Sequence, residues 1–286
     1  MKSGPNASRA ALIASGLTPS TNNKFRPGGI YCVTRLRRYI YEELPPMKHS
    51  RDFLIFPLDV PSMEEALALV KTLAPVVGTF KVGLELFIEC GPEIIRRIKA
   101  QAPESQIFLD LKLHDIPATV NRAMRRVAAL GIDLATVHCG ESKTMLEAAV
   151  EGAGNAVKVL GVTVLTSVGP GDLLEAGYDQ ALADDLSRLV LKKARMAGNS
   201  GCAGVICSPL EAGSIKTHLG KAFLAVTPGV RPQQKNALPD DQVRVATPDG
   251  AIINGADYLV IGRPIRDAEN PLKAAEAILA EIEQAL

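Results

Sequence analysis

The chain carries no excess of either charge: 32 Lys and Arg stand against 31 Asp and Glu, for a net +1 at neutral pH. No field of one sign exists to draw in nucleic acid or an acidic membrane surface, so an anionic ligand must be met by local groups. The five cysteines, Cys32, Cys90, Cys139, Cys202 and Cys207, are odd in number and show no CxxC spacing. That argues against a disulfide framework or a zinc site, and it suits a reducing cytosol in which the thiols are small buried hydrophobes. No apolar run approaches the length of a membrane span. No His/Asp/Glu cluster has metal-ligand spacing, which favours a reaction without metal or other cofactor. No GxGxxG opens the first strand–helix unit, and there is no internal repeat.

What is present is ordinary globular material, 47% hydrophobic and 22% charged, with enough apolar content for a sizeable core. Residues 1–50 differ from the rest. No acidic residue precedes Glu42, while Arg9, Arg26, Arg35, Arg37 and Arg38 lie among Ser, Asn, Pro and Gly. Such a composition is shared by transit peptides, disordered tails and translation begun upstream of the working start, here Met47. We exclude this N-terminal extension from the fold and read it as a tail or a mis-assigned start.

From residue 51 to 286 strand-like runs alternate with helix-period segments. The strand candidates are 53–60, 79–86, 106–113, 134–140, 158–166, 204–209, 222–230 and 258–265. Amphipathic helices are expected at 62–73, 92–100, 119–130, 143–153, 181–197 and 270–285. Eight βα units with no second core left over match the count and length of a (β/α)₈ TIM barrel, in preference to a doubly wound open sheet.

The most informative stretch is FLDLKLHDIPATV, 108–120. Asp110 and Lys112 interrupt an apolar strand at i and i+2, so strand alternation puts both on one face. A charged pair on a covered face must be partnered or it is costly. Asp115 follows just before Pro117, where the strand should end and a helix open. A structural ion pair at a strand end is one reading; a lysine flanked by carboxylates at the mouth of a barrel is the one we prefer.

In such barrels the site is built at the C-terminal ends of the strands. Polar residues there are Asp59 after strand 1, Lys81 in strand 2, His138 in strand 4, and Thr166 and Ser167 after strand 5. His138 is read as packed behind the site and His114 as a structural hydrogen bonder. After strands 7 and 8 come Pro228-Gly229-Val230-Arg231-Pro232 and Gly262-Arg263-Pro264. Both are turn-like, and glycine backbone with an arginine in those two loops also fits a phosphate site.

Taken together, DLKLHDIPATV, FKVG at 80–83, LD at 58–59, VLTS at 164–167, TPGVRP at 227–232 and VIGRPI at 260–265 resemble the orotidine 5′-phosphate decarboxylase family. The DxKxxD core is shared with sugar-phosphate decarboxylases of the same superfamily, whereas the ordered set of motifs is specific. The resemblance implies cofactor-free conversion of orotidine 5′-monophosphate to uridine 5′-monophosphate in de novo pyrimidine biosynthesis. It implies Lys112 as electrostatic stabiliser and proton donor to C6, held by Lys81, Asp110 and Asp115. It places Asp59 and Thr119 on the ribose, Thr166 and Ser167 on the pyrimidine edge, and Arg231, Gln242, Gly262 and Arg263 at the phosphate. Gln233 and Gln234 are alternatives to Gln242. It also implies a cytoplasmic homodimer in which Asp115 reaches the neighbouring subunit's site. A metal-dependent sugar-phosphate decarboxylase or epimerase, and a nucleotide-binding sensor without chemistry, are the rival readings.

Overall fold

The computed structural model describes residues 48–140, 142–232 and 246–286. The N-terminal extension lies, but for Lys48, His49 and Ser50, outside the described residues, as do Gln233, Gln234 and Gln242. Eight parallel strands close into one barrel in sequence order. They are β1 Leu54–Pro57, β2 Thr79–Gly83, β3 Gln106–Leu113, β4 Leu134–His138, β5 Lys158–Val162, β6 Gly204–Ile206, β7 Leu224–Pro228 and β8 Tyr258–Val260. Closure is made by β1 on β8, with Leu54 beside Leu259 and Ile55 beside Val260.

Alternation along each strand sorts side chains between two apolar regions. Ile55, Phe108, Leu134, Leu160, Val226 and Tyr258 fill the barrel interior. The intervening residues pack outward under the helices, so Leu54, Phe56, Leu109, Ala135 and Val137 join the larger core. The helices supply matching stripes. In Pro117–Ala129, Val120, Met124 and Val127 recur at i, i+4 and i+7, and all three are buried. At the N-terminal mouth the Lys48 ammonium lies 4.5 Å from the centre of the Tyr258 ring and 4.8 Å from that of Phe53. Those distances are within cation–π range, so Lys48 covers the bottom of the interior layer.

Several expected strands are shorter than their apolar runs. Strand β2 stops at Gly83, and Leu84–Cys90 is a helix, because a barrel strand ends once it has crossed the barrel wall. Likewise β5 ends at Val162 and β8 at Val260, so Thr166 and Arg263 stand on loop and short helix beyond the strands. The helix expected at 181–197 is two, Gln180–Asp184 and Leu186–Asn199. Asp185 breaks it: its carboxylate accepts the Arg188 N–H at 3.0 Å and caps the second helix. Short helices at Pro170–Glu175, Ala212–Leu219, Pro248–Ile253 and Arg263–Arg266 went unread, being too brief to show a period.

Candidate active site

The C-terminal ends of the strands enclose a cavity of about 400 Å³. Its charged wall comes from three neighbouring strands. Lys81, on β2, is 8% exposed, and its Nζ lies 3.1 Å from Asp59 Oδ1 and 3.6 Å from Asp110 Oδ2. The same Asp110 oxygen receives Lys112 Nζ at 3.0 Å. Charges therefore alternate along the row Asp59, Lys81, Asp110, Lys112; the two largely buried members, Lys81 and Asp110, each stand beside opposite charge, which is what makes their burial tolerable. Gly83 leaves room for this row: a Cβ there would come within 3.2 Å of Lys81 Nζ and 3.3 Å of Asp59 Oδ1.

Strand β3 bends to present the row. It pairs with β4 regularly up to Leu109 beside Ala135, and pairing resumes only at Leu113 beside Val137. Four steps of β3 thus run against two of β4, a bulge that re-aims the strand end. Within it Lys112 has φ +52°, the one non-glycine residue in the left-handed region among the described residues. Non-glycine residues seldom adopt it, and strain of this kind gathers at functional sites.

Burial alone would raise the Asp110 carboxyl; the charges of Lys81 and Lys112, with hydrogen bonds from Lys112 and Thr136, outweigh it and hold the group below the usual carboxylate value. His138 at the end of β4 is held low by burial first and then by His114, Lys112 and Lys193, against the opposing charge of Asp110. The His114 and His138 rings are 5.8 Å apart and tilted by 48°. The buried thiols Cys139 and Cys202 are pushed up to about 12 by desolvation, in keeping with packing residues.

Of the residues expected at the site, Asp59, Lys81, Asp110, Lys112, Thr166, Arg231, Gly262 and Arg263 line this cavity. Arg231 leads into residues 233–245, whose described flanks are joined where Arg231 N–H donates to Ala246 O at 2.9 Å. Three expected residues do not line it. Asp115 is exposed, and its carboxylate accepts the next N–H, that of Ile116, at 2.6 Å. Thr119 sits in the first turn of Pro117–Ala129, accepting a hydrogen bond from Arg122, and Ser167 is exposed on the loop after β5.

Two contributors were missed. Arg266 lines the cavity and donates from Nη1 to the Asp59 carbonyl at 2.9 Å, pinning the loop that carries Asp59. Thr136, 1% exposed, lies between Asp110 and the Lys112 backbone. Alternation along β4 puts it on the inward face, two before His138, but what its hydroxyl meets shows only in the structure. Among the described residues no three His, Cys, Asp or Glu side chains are grouped to hold a metal ion, and no helix is long and apolar enough to cross a membrane.

Known proteins share this fold over most of the chain. A protein from Desulfosudis oleivorans named orotidine 5′-phosphate decarboxylase is 53% identical over 236 residues, covering 82% of this chain and 95% of that protein. One of the same name from Anaeromyxobacter sp. (strain K) is 46% identical over 223 residues, covering 78% and 95%. The crystal structure of orotidine 5′-phosphate decarboxylase from Lactobacillus acidophilus superposes with a TM-score of 0.68 at 37% identity, over 80% of this chain and 98% of that one. The Pyrococcus horikoshii OT3 enzyme structure gives 0.64 at 27% identity, over 80% and 99%. The family model described as orotidine 5'-phosphate decarboxylase / HUMPS matches residues 52–278, from the turn before β1 into the last helix, and the chain belongs to that family.

Proposed function

We propose that this chain removes CO₂ from C6 of orotidine 5′-monophosphate to give uridine 5′-monophosphate, the decarboxylation that completes de novo pyrimidine synthesis, as a cytoplasmic enzyme without metal or organic cofactor. The observation that carries the reading is the row Asp59, Lys81, Asp110, Lys112 at the cavity wall of a chain of this family. Loss of CO₂ leaves an electron pair on C6 that no ring carbonyl is placed to delocalise. A fixed cation beside that carbon answers the difficulty directly: at about 4 Å and an effective dielectric near 20 it is worth roughly 4 kcal/mol, about a thousandfold in rate.

Lys112 is that cation. When the C6–CO₂ bond breaks, its electron pair stays on C6 and takes a proton from the Lys112 ammonium, which is recharged from solvent. Asp110 is held where it faces the departing carboxylate and repels it. Asp59 receives ribose hydroxyls, while Thr166, which lines the cavity, reads the pyrimidine edge. Arg231, Gly262, Arg263 and Gln242 hold the phosphate, and that remote grip is realised as rate at the ring.

The outward position of Asp115 supports a two-fold dimer in which it completes the partner subunit's site. Conversion of orotidine 5′-monophosphate by the purified protein in EDTA tests the reading. Uridine 5′-monophosphate should form at an undiminished rate; activity abolished by EDTA would favour a metal-dependent sugar-phosphate enzyme instead.

A further inference from the structure

Thr136 touches neither the cavity nor solvent, yet its hydroxyl joins the two residues that the proposed reaction depends on most. Its Oγ1 accepts the Lys112 backbone N–H at 2.9 Å and donates to Asp110 Oδ1 at 2.9 Å. A hydroxyl has one proton to give. Since an N–H must be the donor in the first contact and a carboxylate the acceptor in the second, the direction of both hydrogen bonds is fixed.

The register explains why the hydroxyl is needed. Asp110 and Thr136 each follow the last regular β3–β4 pair, Leu109 beside Ala135, so they stand side by side facing inward. Beyond that point β3 bulges, and Lys112 has no partner on β4 in the register, which skips from Leu109 to Leu113. There the Thr136 side chain, Oγ1, accepts the Lys112 N–H, at the residue whose φ is +52°. On its other side it fixes one carboxylate oxygen of Asp110, leaving the second, Oδ2, for Lys112 Nζ at 3.0 Å and Lys81 Nζ at 3.6 Å.

We propose that Thr136 is a positioning residue for the reaction: one buried hydroxyl clamps the left-handed backbone of Lys112 and orients the Asp110 carboxylate, and so aims the Lys112 ammonium at the reacting carbon. The proposal rests on the reading of Lys112 as proton donor. Thr136→Val keeps the shape and deletes the hydroxyl; Thr136→Ser keeps the hydroxyl. A hydrogen bond to a charged group, together with an orphaned buried N–H, corresponds to a loss on the order of tenfold to a hundredfold.

Two measurements test it together. Amide hydrogen exchange in the purified proteins should show Lys112 losing at least about tenfold of its protection in Thr136→Val, with the Leu109 and Val137 amides unchanged and Thr136→Ser like wild type. Steady-state kinetics on orotidine 5′-monophosphate should show kcat down by about ten- to a hundredfold in Thr136→Val, KM within about threefold, and kcat recovered in Thr136→Ser. If the Val variant does not accumulate folded, Thr136→Ala carries the same readouts. An unchanged Lys112 amide, or an unchanged kcat in a protein whose wild type is active, overturns the proposal. A wild type that does not convert the substrate, but whose Lys112 amide still responds to Thr136, overturns the functional reading and supports the clamp.

Discussion

Lys112 Nζ lies 3.0 Å from Asp110 Oδ2, across a backbone that leaves the strand conformation between them, with φ +52° at Lys112. Two charges that an ideal strand would merely place on one face are drawn into contact by a bulge. Strain at one residue therefore shapes the site, and relieving it should stabilise the fold. Glycine adopts this φ without a steric cost, whereas alanine does not. Both Lys112→Gly and Lys112→Ala delete the ammonium, so their difference isolates the backbone. Chemical denaturation should find the Gly variant more stable by about 0.5–1 kcal/mol, the reverse of the order in an ordinary strand. Equal stabilities would mean that the backbone relaxes once the ion pair is gone.

Acid sensitivity has a specific source at His138. Its folded value is held below the ordinary 6.5 by burial and then by its cationic neighbours, so the unfolded chain binds a proton more readily there. The stability contributed is present in full above about 6.5 and is lost as pH falls below it. Thermal denaturation across that range should show a fall in Tm for the wild type that is shallower in His138→Gln. Parallel curves for the two proteins would remove His138 as the source.

The phosphate end can be separated from the ring end. Arg263→Ala should lose far more activity on orotidine 5′-monophosphate than on the nucleoside lacking phosphate, because a phosphate contact contributes nothing when phosphate is absent. The ratio of kcat/KM losses on the two substrates measures this, and equal losses would move Arg263 away from the phosphate.

Much of this was legible in the sequence because burial forces it. Eight apolar runs separated by helix-period segments can bury their faces only by closing or by stacking, and motif positions at the run ends marked the mouth that holds the candidate site. Asp110 and Lys112 were found because charges inside an apolar strand need partners. The bulge was not legible: alternation placed both residues on one face without indicating that Lys112 would leave the strand conformation. Thr136 was passed over because threonine is an ordinary strand residue, and only the β3–β4 register shows what its hydroxyl meets. Arg266 was missed for a similar reason, since its partner is a backbone carbonyl more than two hundred residues away, at Asp59.

The proposed sharing of sites between subunits makes a quantitative prediction. Lys112→Ala and Asp115→Ala proteins should each be nearly inactive. If Asp115 serves the partner subunit, mixing them with subunit exchange creates dimers with one doubly damaged and one intact site. Random pairing makes half the dimers mixed, so about a quarter of all sites should be restored. Activity that stays at the level of the separate mutants, with exchange shown independently, would return Asp115 to its own chain.

The role of Lys112 is tested most directly by kcat/KM for Lys112→Ala on orotidine 5′-monophosphate, alongside its binding of uridine 5′-monophosphate. Losing the cation and the proton donor together should cost at least about 10⁴-fold, on the order of 5 kcal/mol in the barrier. Binding of the product nucleotide, gripped through phosphate and ribose, should persist. Activity within about tenfold of wild type, a loss of only ~1.4 kcal/mol, would contradict the assignment of Lys112 as the group that stabilises and protonates C6.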